Sequence, residues 1–199
     1  MQDVTWATPL YEFLRQCNAS PLEKRVLDCG AGGDDPPLSL FYRHGYRTYG
    51  IEIAEPALRD AQAFCREHDM PLNVFRGDMR HIPFASESFS FAYAYNAIMF
   101  MTKPDIALAM REMTRVLRPE GLLYVNFMSV DDPDDSVFCP DGPAQNLLQS
   151  EQFAKHADDE ADAYLVDFEI RRKDKRYIGR LSRASWLDQV DLEYIARKR

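Results

Sequence analysis

A chain of 199 residues has the length of about one domain, and 46% hydrophobic with 28% charged residues is an ordinary globular composition. No apolar run approaches the roughly 20 residues that span a bilayer, and Met1-Gln2-Asp3-Val4-Thr5 lacks the basic start and apolar core of a signal peptide. The net charge of −8 is uneven, with 14 Lys/Arg against 25 Asp/Glu in residues 1–160 and 10 against 7 in residues 161–199, so broad electrostatic binding of nucleic acid is excluded for the bulk of the chain.

The elements alternate between helical and strand patterns, which predicts an α/β fold. Leu10, Phe13, Leu14 and Cys17 share one face of a first helix over Pro9 to Cys17. Arg25 to Cys29 reads as a buried parallel strand running into the turn Gly30-Ala31-Gly32-Gly33. Pro36 and Pro37 suit the first turn of a helix that carries Leu38, Leu40 and Phe41 and stops near Gly45. A strand over Tyr46 to Ile53, a helix over Glu55 to His68 and strands over Leu72 to Phe75 and Phe89 to Tyr95 follow. Pro104 to Leu117 is a marked helix, closed by Arg118-Pro119, and Leu122 to Phe127 is the fifth strand. Residues 129–145, rich in Asp, Pro and Gly, read as a long functional loop. A short helix over Asp158 to Tyr164 precedes two alternating segments, Val166 to Ile178 and Ser185 to Arg197, that pattern as an antiparallel pair. The whole of 1–199 is expected to form one domain.

Three acidic positions fall at strand ends. Asp28 is followed by glycines at alternate positions, a turn in which a ligand can touch backbone. Glu52 lies 24 residues further on, where a carboxylate can accept from both hydroxyls of a ribose. Gly77-Asp78-Met79 pairs a carboxylate able to accept from an exocyclic amine with an apolar neighbour able to cover a ring. Each also has a plainer reading as a turn or a solvated strand end. The four histidines, 44, 68, 81 and 156, show no metal spacing and read as helix-end or surface residues, with His156 the one to test. Four cysteines without CxxC spacing read as free thiols, and with no secretion signal the expected location is cytoplasmic.

In this order the motifs, with His81-Ile82-Pro83-Phe84 and Arg115 to Gly121, resemble the class I S-adenosylmethionine-dependent methyltransferases, specifically the small methyltransferase-domain group. The resemblance runs from about Pro9 to Phe127 and implies a Rossmann-like, seven-stranded, mostly parallel sheet with helices on both faces and an antiparallel C-terminal edge hairpin. It implies S-adenosyl-L-methionine as cofactor, bound by the 9–127 half, with residues 128–199 supplying the acceptor-side loop and the sheet edge. Asp28 would lie near the methionine ammonium, and Gly30, Ala31 and Gly32 along the cofactor. Glu52 would hold the ribose with Ile53 beside the adenine, and Asp78 and Met79 would face the adenine. Tyr95 would sit near the sulfonium and Tyr11 would close over the cofactor. Three positions depart from the group's pattern: Asp34 replaces the third glycine, Ser90 an acidic residue, and Met99-Phe100 an aromatic or histidine pair.

A nicotinamide dehydrogenase is the rival reading from the glycine turn. Its fingerprint needs a glycine where this chain has Asp35. Carboxylates at 34 and 35 would repel a pyrophosphate but not a phosphate-free, cationic methyl donor. The other rival is a cofactor-binding protein without turnover. The expected partner is a small-molecule methyl acceptor, with no nucleic acid, no membrane and no metal. The seven basic residues between Arg171 and Arg183 read as a solvated face; gathered on one side, they could meet the acidic run 131–135 within the molecule or across a homodimer.

Overall fold

The computed structural model describes residues 8–133, 154–181 and 186–199. Most of the expected loop, together with Cys139 and Arg183, lies outside the described residues. The elements are α1 (Thr8–Ala19), β1 (Arg25–Cys29), α2 (Leu38–Arg43), β2 (Arg47–Glu52), α3 (Glu55–Glu67), β3 (Val74–Arg76), β4 (Phe89–Ala94), α4 (Lys103–Val116), β5 (Leu117–Ser129), β6 (Lys155–His156), β7 (Phe168–Leu181) and β8 (Trp186–Lys198). They form one sheet ordered β3-β2-β1-β4-β5-β8-β7, with the two-residue β6 added on β5. The seven strands of that path match the expectation, and β6 makes the eighth. β1 to β5 pair in parallel, while β8 runs antiparallel to both β5 and β7.

Residues of β1 alternate between two cores, which explains why the run is buried from Val26 to Cys29. Val26 packs with Leu10, Phe13 and Leu14 of α1 and Leu38 and Phe41 of α2. Leu27 and Cys29 pack with Ile106, Met110 and Met113 of α4 on the opposite face. Each large side chain buried in this way contributes about 1.5–3 kcal/mol. At the start of α4, Asp105 N–H donates to the Thr102 hydroxyl, which caps the helix, and Pro104 lies in its first turn.

Local chemistry accounts for most shifted boundaries. Asn73 takes φ +57, so β3 begins at Val74, two residues later than the expected start at Leu72. β5 begins at Leu117 because Leu117 already pairs with Phe89. The pairing register slips between Phe89 and Phe91, and Ser90 sits in that irregularity. The short helix is a 3-10 turn over Glu160–Leu165. His44, His68 and His81 are exposed as expected, but His156 is fully buried. Its ring lies against Phe127 and Tyr164, with Nε2 at 3.2 Å from the Tyr164 hydroxyl, and burial pulls its pKa down. The register of β6 on Ser129 carries His156 inward.

β7 and β8 continue beyond the sheet. β5 pairs with β8 only as far as Asp191, whereas the β7–β8 ladder runs on from Val190–Tyr177 to Trp186–Leu181. Among the described residues no helix is long and apolar enough to cross a membrane.

Candidate active site

The strand order reverses beside β1, since the chain builds outward to β2 and β3 and then returns to β4 on the other side. Open α/β sheets bind ligands in the crevice at such a point, outside the carboxyl ends of the strands. Asp28, Glu52, Asp78 and Tyr95 all lie at or just beyond those ends.

The glycine loop folds tightly onto β2. Gly30 and Ala31 N–H both donate to the Ile51 carbonyl, at 2.9 and 3.0 Å. Gly30 has φ +113, and a Cβ there would fall 2.3 Å from the Ala97 Cβ. The loop therefore touches the turn that follows β4. Ala31 is buried beneath it. Gly32 N–H donates to Glu52 Oε2 at 3.1 Å, and Ala54 N–H donates to Glu52 Oε1 at 2.8 Å. Each carboxylate oxygen keeps a second lone pair. Burial raises the Glu52 pKa, and the backbone N–H groups of Ala54, Ile53 and Gly32 oppose that rise. Ile53, next in the chain, is 41% exposed, a free apolar surface beside the carboxylate.

Asp28 is buried, and its Oδ2 has no hydrogen-bond partner among the described residues. Burial lifts its pKa to about 8; the neighbouring Tyr93 hydroxyl favours the charged form and Glu52 disfavours it. Tyr93 itself is core, stacked on Phe41 with ring centroids 5.1 Å apart. Tyr95, two residues on, is half-buried with its ring 6.1 Å from that of Tyr124. Of the alternating tyrosines, one thus packs and the other reaches the strand end. Met99 is also core.

Asp78 is already engaged. Its carboxylate accepts from the Arg80 backbone N–H at 2.8 Å and from Arg80 Nη2 at 2.7 Å, which lowers its pKa. Met79 is buried, with its Cε within 4.0 Å of the position a Gly30 Cβ would take. Tyr11 on α1 is 47% exposed, whereas Asp34 and Asp35 are fully on the surface.

A polar chain missed by the sequence reading starts at the same turn. Asn96 takes φ +51 directly after Tyr95. Its N–H donates to Asn126 Oδ1 at 2.8 Å, and Asn126 Nδ2 donates to Asn96 Oδ1 at 2.7 Å and to Asp191 Oδ2 at 3.1 Å. Gln189 Nε2 donates to Asp191 Oδ1 at 2.8 Å. Asn126 and Asp191 are fully buried. The signal for it was an asparagine inside an otherwise apolar run, Leu122-Leu123-Tyr124-Val125-Asn126-Phe127-Met128. Among the described residues no group of three or more His, Cys, Asp or Glu could hold a metal ion.

Comparison with known proteins agrees with this geometry. Residues 27–125, about half of the chain, match the family model described as a methyltransferase domain. A methyltransferase, GfsG, from Streptomyces halstedii is 33% identical over 103 residues, which cover 51% of this chain and 36% of that one. An O-methyltransferase from Pyrenophora dematioidea is 30% identical over 137 residues, covering 67% and 48%. The chain thus spans less than half the length of these relatives. A solved SAM-dependent methyltransferase from Methanosarcina mazei superposes with a TM-score of 0.68 at 22% identity, covering 92% of this chain and 96% of that one. The 1,6-didemethyltoxoflavin-N1-methyltransferase of Burkholderia thailandensis, solved with S-adenosylhomocysteine, superposes with a TM-score of 0.67 at 15% identity, covering 98% and 79%. Glycine loop, strand-end carboxylates, sheet order and family match agree, and the chain belongs to the class I S-adenosylmethionine-dependent methyltransferase family.

Proposed function

We propose that this chain transfers the methyl group of S-adenosyl-L-methionine to a small-molecule acceptor. The observation that carries the reading is the buried Asp28, whose free oxygen sits beside a glycine loop that Glu52 holds from the other side. A buried carboxylate without a partner is costly unless a cation or donor meets it. A phosphate-free cofactor with an ammonium and a sulfonium suits that environment, and a pyrophosphate does not.

On this reading the residues divide the work. Asp28 takes the ammonium. Gly30, Ala31 and Gly32 bring backbone close to the cofactor. The unused lone pairs of Glu52 take the ribose hydroxyls. Ile53 and Met79 cover the adenine, and Asp78, held in place by Arg80, faces its amine. Tyr95 stands at the reacting end and Tyr11 closes from α1. S-adenosylmethionine, when bound, supplies an electrophilic methyl group on a leaving group that is already activated. The chain then has to align donor and acceptor and exclude water. A general base is needed only for an acceptor protonated at its attacking atom. The expected setting is cytoplasmic and reducing, in keeping with Cys17 and Cys29 as buried free thiols.

Isothermal titration tests the assignment. S-adenosylhomocysteine should bind and NADH should not. Tight NADH binding with no response to S-adenosylhomocysteine would overturn it, and release of S-adenosylhomocysteine from a panel of hydroxylated and amine acceptors would identify the second substrate.

A further inference from the structure

A cavity of about 690 Å³ lies at the other end of the sheet, away from the strand ends that carry Asp28 and Glu52. Its walls come from α1, the Ser20–Leu22 connection, the early part of β5, the start of β7 and the end of β8. Ala19, Pro21, Leu22 and Leu122 contribute apolar surface. Four arginines line it, Arg15, Arg171, Arg172 and Arg197, together with only two carboxylates, Glu12 and Glu120.

The arginines are not equivalent. Arg15 spends Nε and Nη2 on Glu12, at 2.8 and 2.7 Å. Arg197 spends all three nitrogens, with Nε and Nη2 on Glu169 and Nη1 on Glu120. Arg171 uses Nη1 alone, on Glu169 at 3.1 Å, and Arg172 uses Nε alone, on Asp174. Two nitrogens of Arg171 and two of Arg172 therefore have no partner among the described residues, and each pair can grip an oxyanion through two parallel bonds.

The backbone brings these two together. Consecutive side chains on a regular strand face opposite sides. Here Ile170 pairs with Ala196 and Arg172 pairs with Ile195, which leaves Arg171 as the extra residue of a β-bulge. Bulges re-aim side chains, and this one lets neighbours in sequence line one cavity. With Glu169 and Asp174 counted, the four arginines are balanced by four carboxylates, so the site offers donors and acceptors rather than a strong positive field. That mixture excludes a polyanion and suits a ligand with one anionic group and several hydroxyls. The volume is that of a small-molecule site.

We propose that this cavity binds a phosphate ester of a hydroxylated small molecule, such as a sugar phosphate, as a second ligand site separate from methyl transfer. The phosphate sits on the free edges of Arg171 and Arg172, and the hydroxyls donate to Glu12 and Glu120.

The test is isothermal titration of the full chain, saturated with S-adenosylhomocysteine, at constant ionic strength. The probes are glucose 6-phosphate, ribose 5-phosphate, inorganic phosphate and glucose. Saturable binding of a sugar phosphate is expected, weakened about tenfold or more by Arg171→Gln with Arg172→Gln. Glu120→Gln should weaken the sugar phosphate and leave inorganic phosphate unchanged. Arg171→Gln alone, at a side chain 45% exposed, should weaken binding in the same direction should the double variant fail to fold. The proposal is overturned if neither sugar phosphate binds up to about 10 mM. It is overturned equally if the arginine variants bind as the parent does, or if inorganic phosphate binds as tightly as the esters. None of these outcomes depends on whether S-adenosylhomocysteine itself binds.

Discussion

The two halves of the sheet are held by different chemistry. On the β1–β4 side the site is made of backbone and strand-end carboxylates, with a glycine loop folded onto Glu52. On the β5–β8 side it is made of side chains paired with side chains. Asn96, Asn126, Asp191 and Gln189 form one buried chain. Arg171, Arg172, Lys173, Lys175 and Arg176 each meet an acid. The first kind of site can vary little, because a backbone contact leaves no room for a side chain. The second can be rewired one residue at a time.

Substitutions can break that contrast. Gly30→Ala should have the largest effect, because the new Cβ would lie 2.3 Å from Ala97 at a φ of +113. A loss of about 3 kcal/mol in thermal unfolding, with loss of S-adenosylhomocysteine binding, is expected. Asp191→Ala strands the amides of Asn126 and Gln189 in the core. It should cost about 2–3 kcal/mol in denaturant unfolding and leave cofactor affinity near the parent value. Glu52→Ala should do the reverse, weakening S-adenosylhomocysteine by about 1.5–3 kcal/mol in titration calorimetry with the fold kept.

Asp28 offers a subtler test. Its folded pKa of about 8 lies above the unfolded value, so the native state holds a proton that the unfolded chain has lost. Stability should therefore fall as pH rises from about 4 to 8. A bound ammonium favours the ionised form, so S-adenosylhomocysteine should bind more tightly as pH rises toward 8, by up to about tenfold per unit. Asp28→Asn should flatten both dependences, and a pH-independent affinity in the parent chain would place the ammonium elsewhere. Lys175→Ala should do least. It removes ion pairs with Asp131 and Asp158 that are largely exposed on the acidic side, so denaturant unfolding should show the smallest change of the set, and one that shrinks with salt.

The legibility of the sequence follows the same division. The Arg25–Cys29 strand, the glycine turn and the capped helix at Thr102 are local patterns, and each is close to where the periodicity puts it. The strand-end carboxylates were legible because their spacing repeats with the βαβ unit. His156 was not, since its burial depends on β6 pairing with Ser129. Asp78 was legible as a carboxylate at a strand end, but its grip on Arg80 was not. The Asn96–Asp191 chain needs two strands laid side by side before it exists. The basic run 171–176 read as a charged face, but the acids that meet it come from four separate segments. Charge counts along a chain carry no information about such partners.

The β7–β8 ribbon has a mechanical consequence. Five residue pairs project past the last bond to β5, a reach of roughly 17 Å. Two strands alone twist more readily than a full sheet. At its root the Val190 N–H donates to Asp132 Oδ2 at 2.8 Å, and Lys175 pairs with Asp131 of the same segment. A rotation of a few degrees there becomes a displacement of an ångström or more at the far end. A small turn at the root is therefore magnified along the length of the arm.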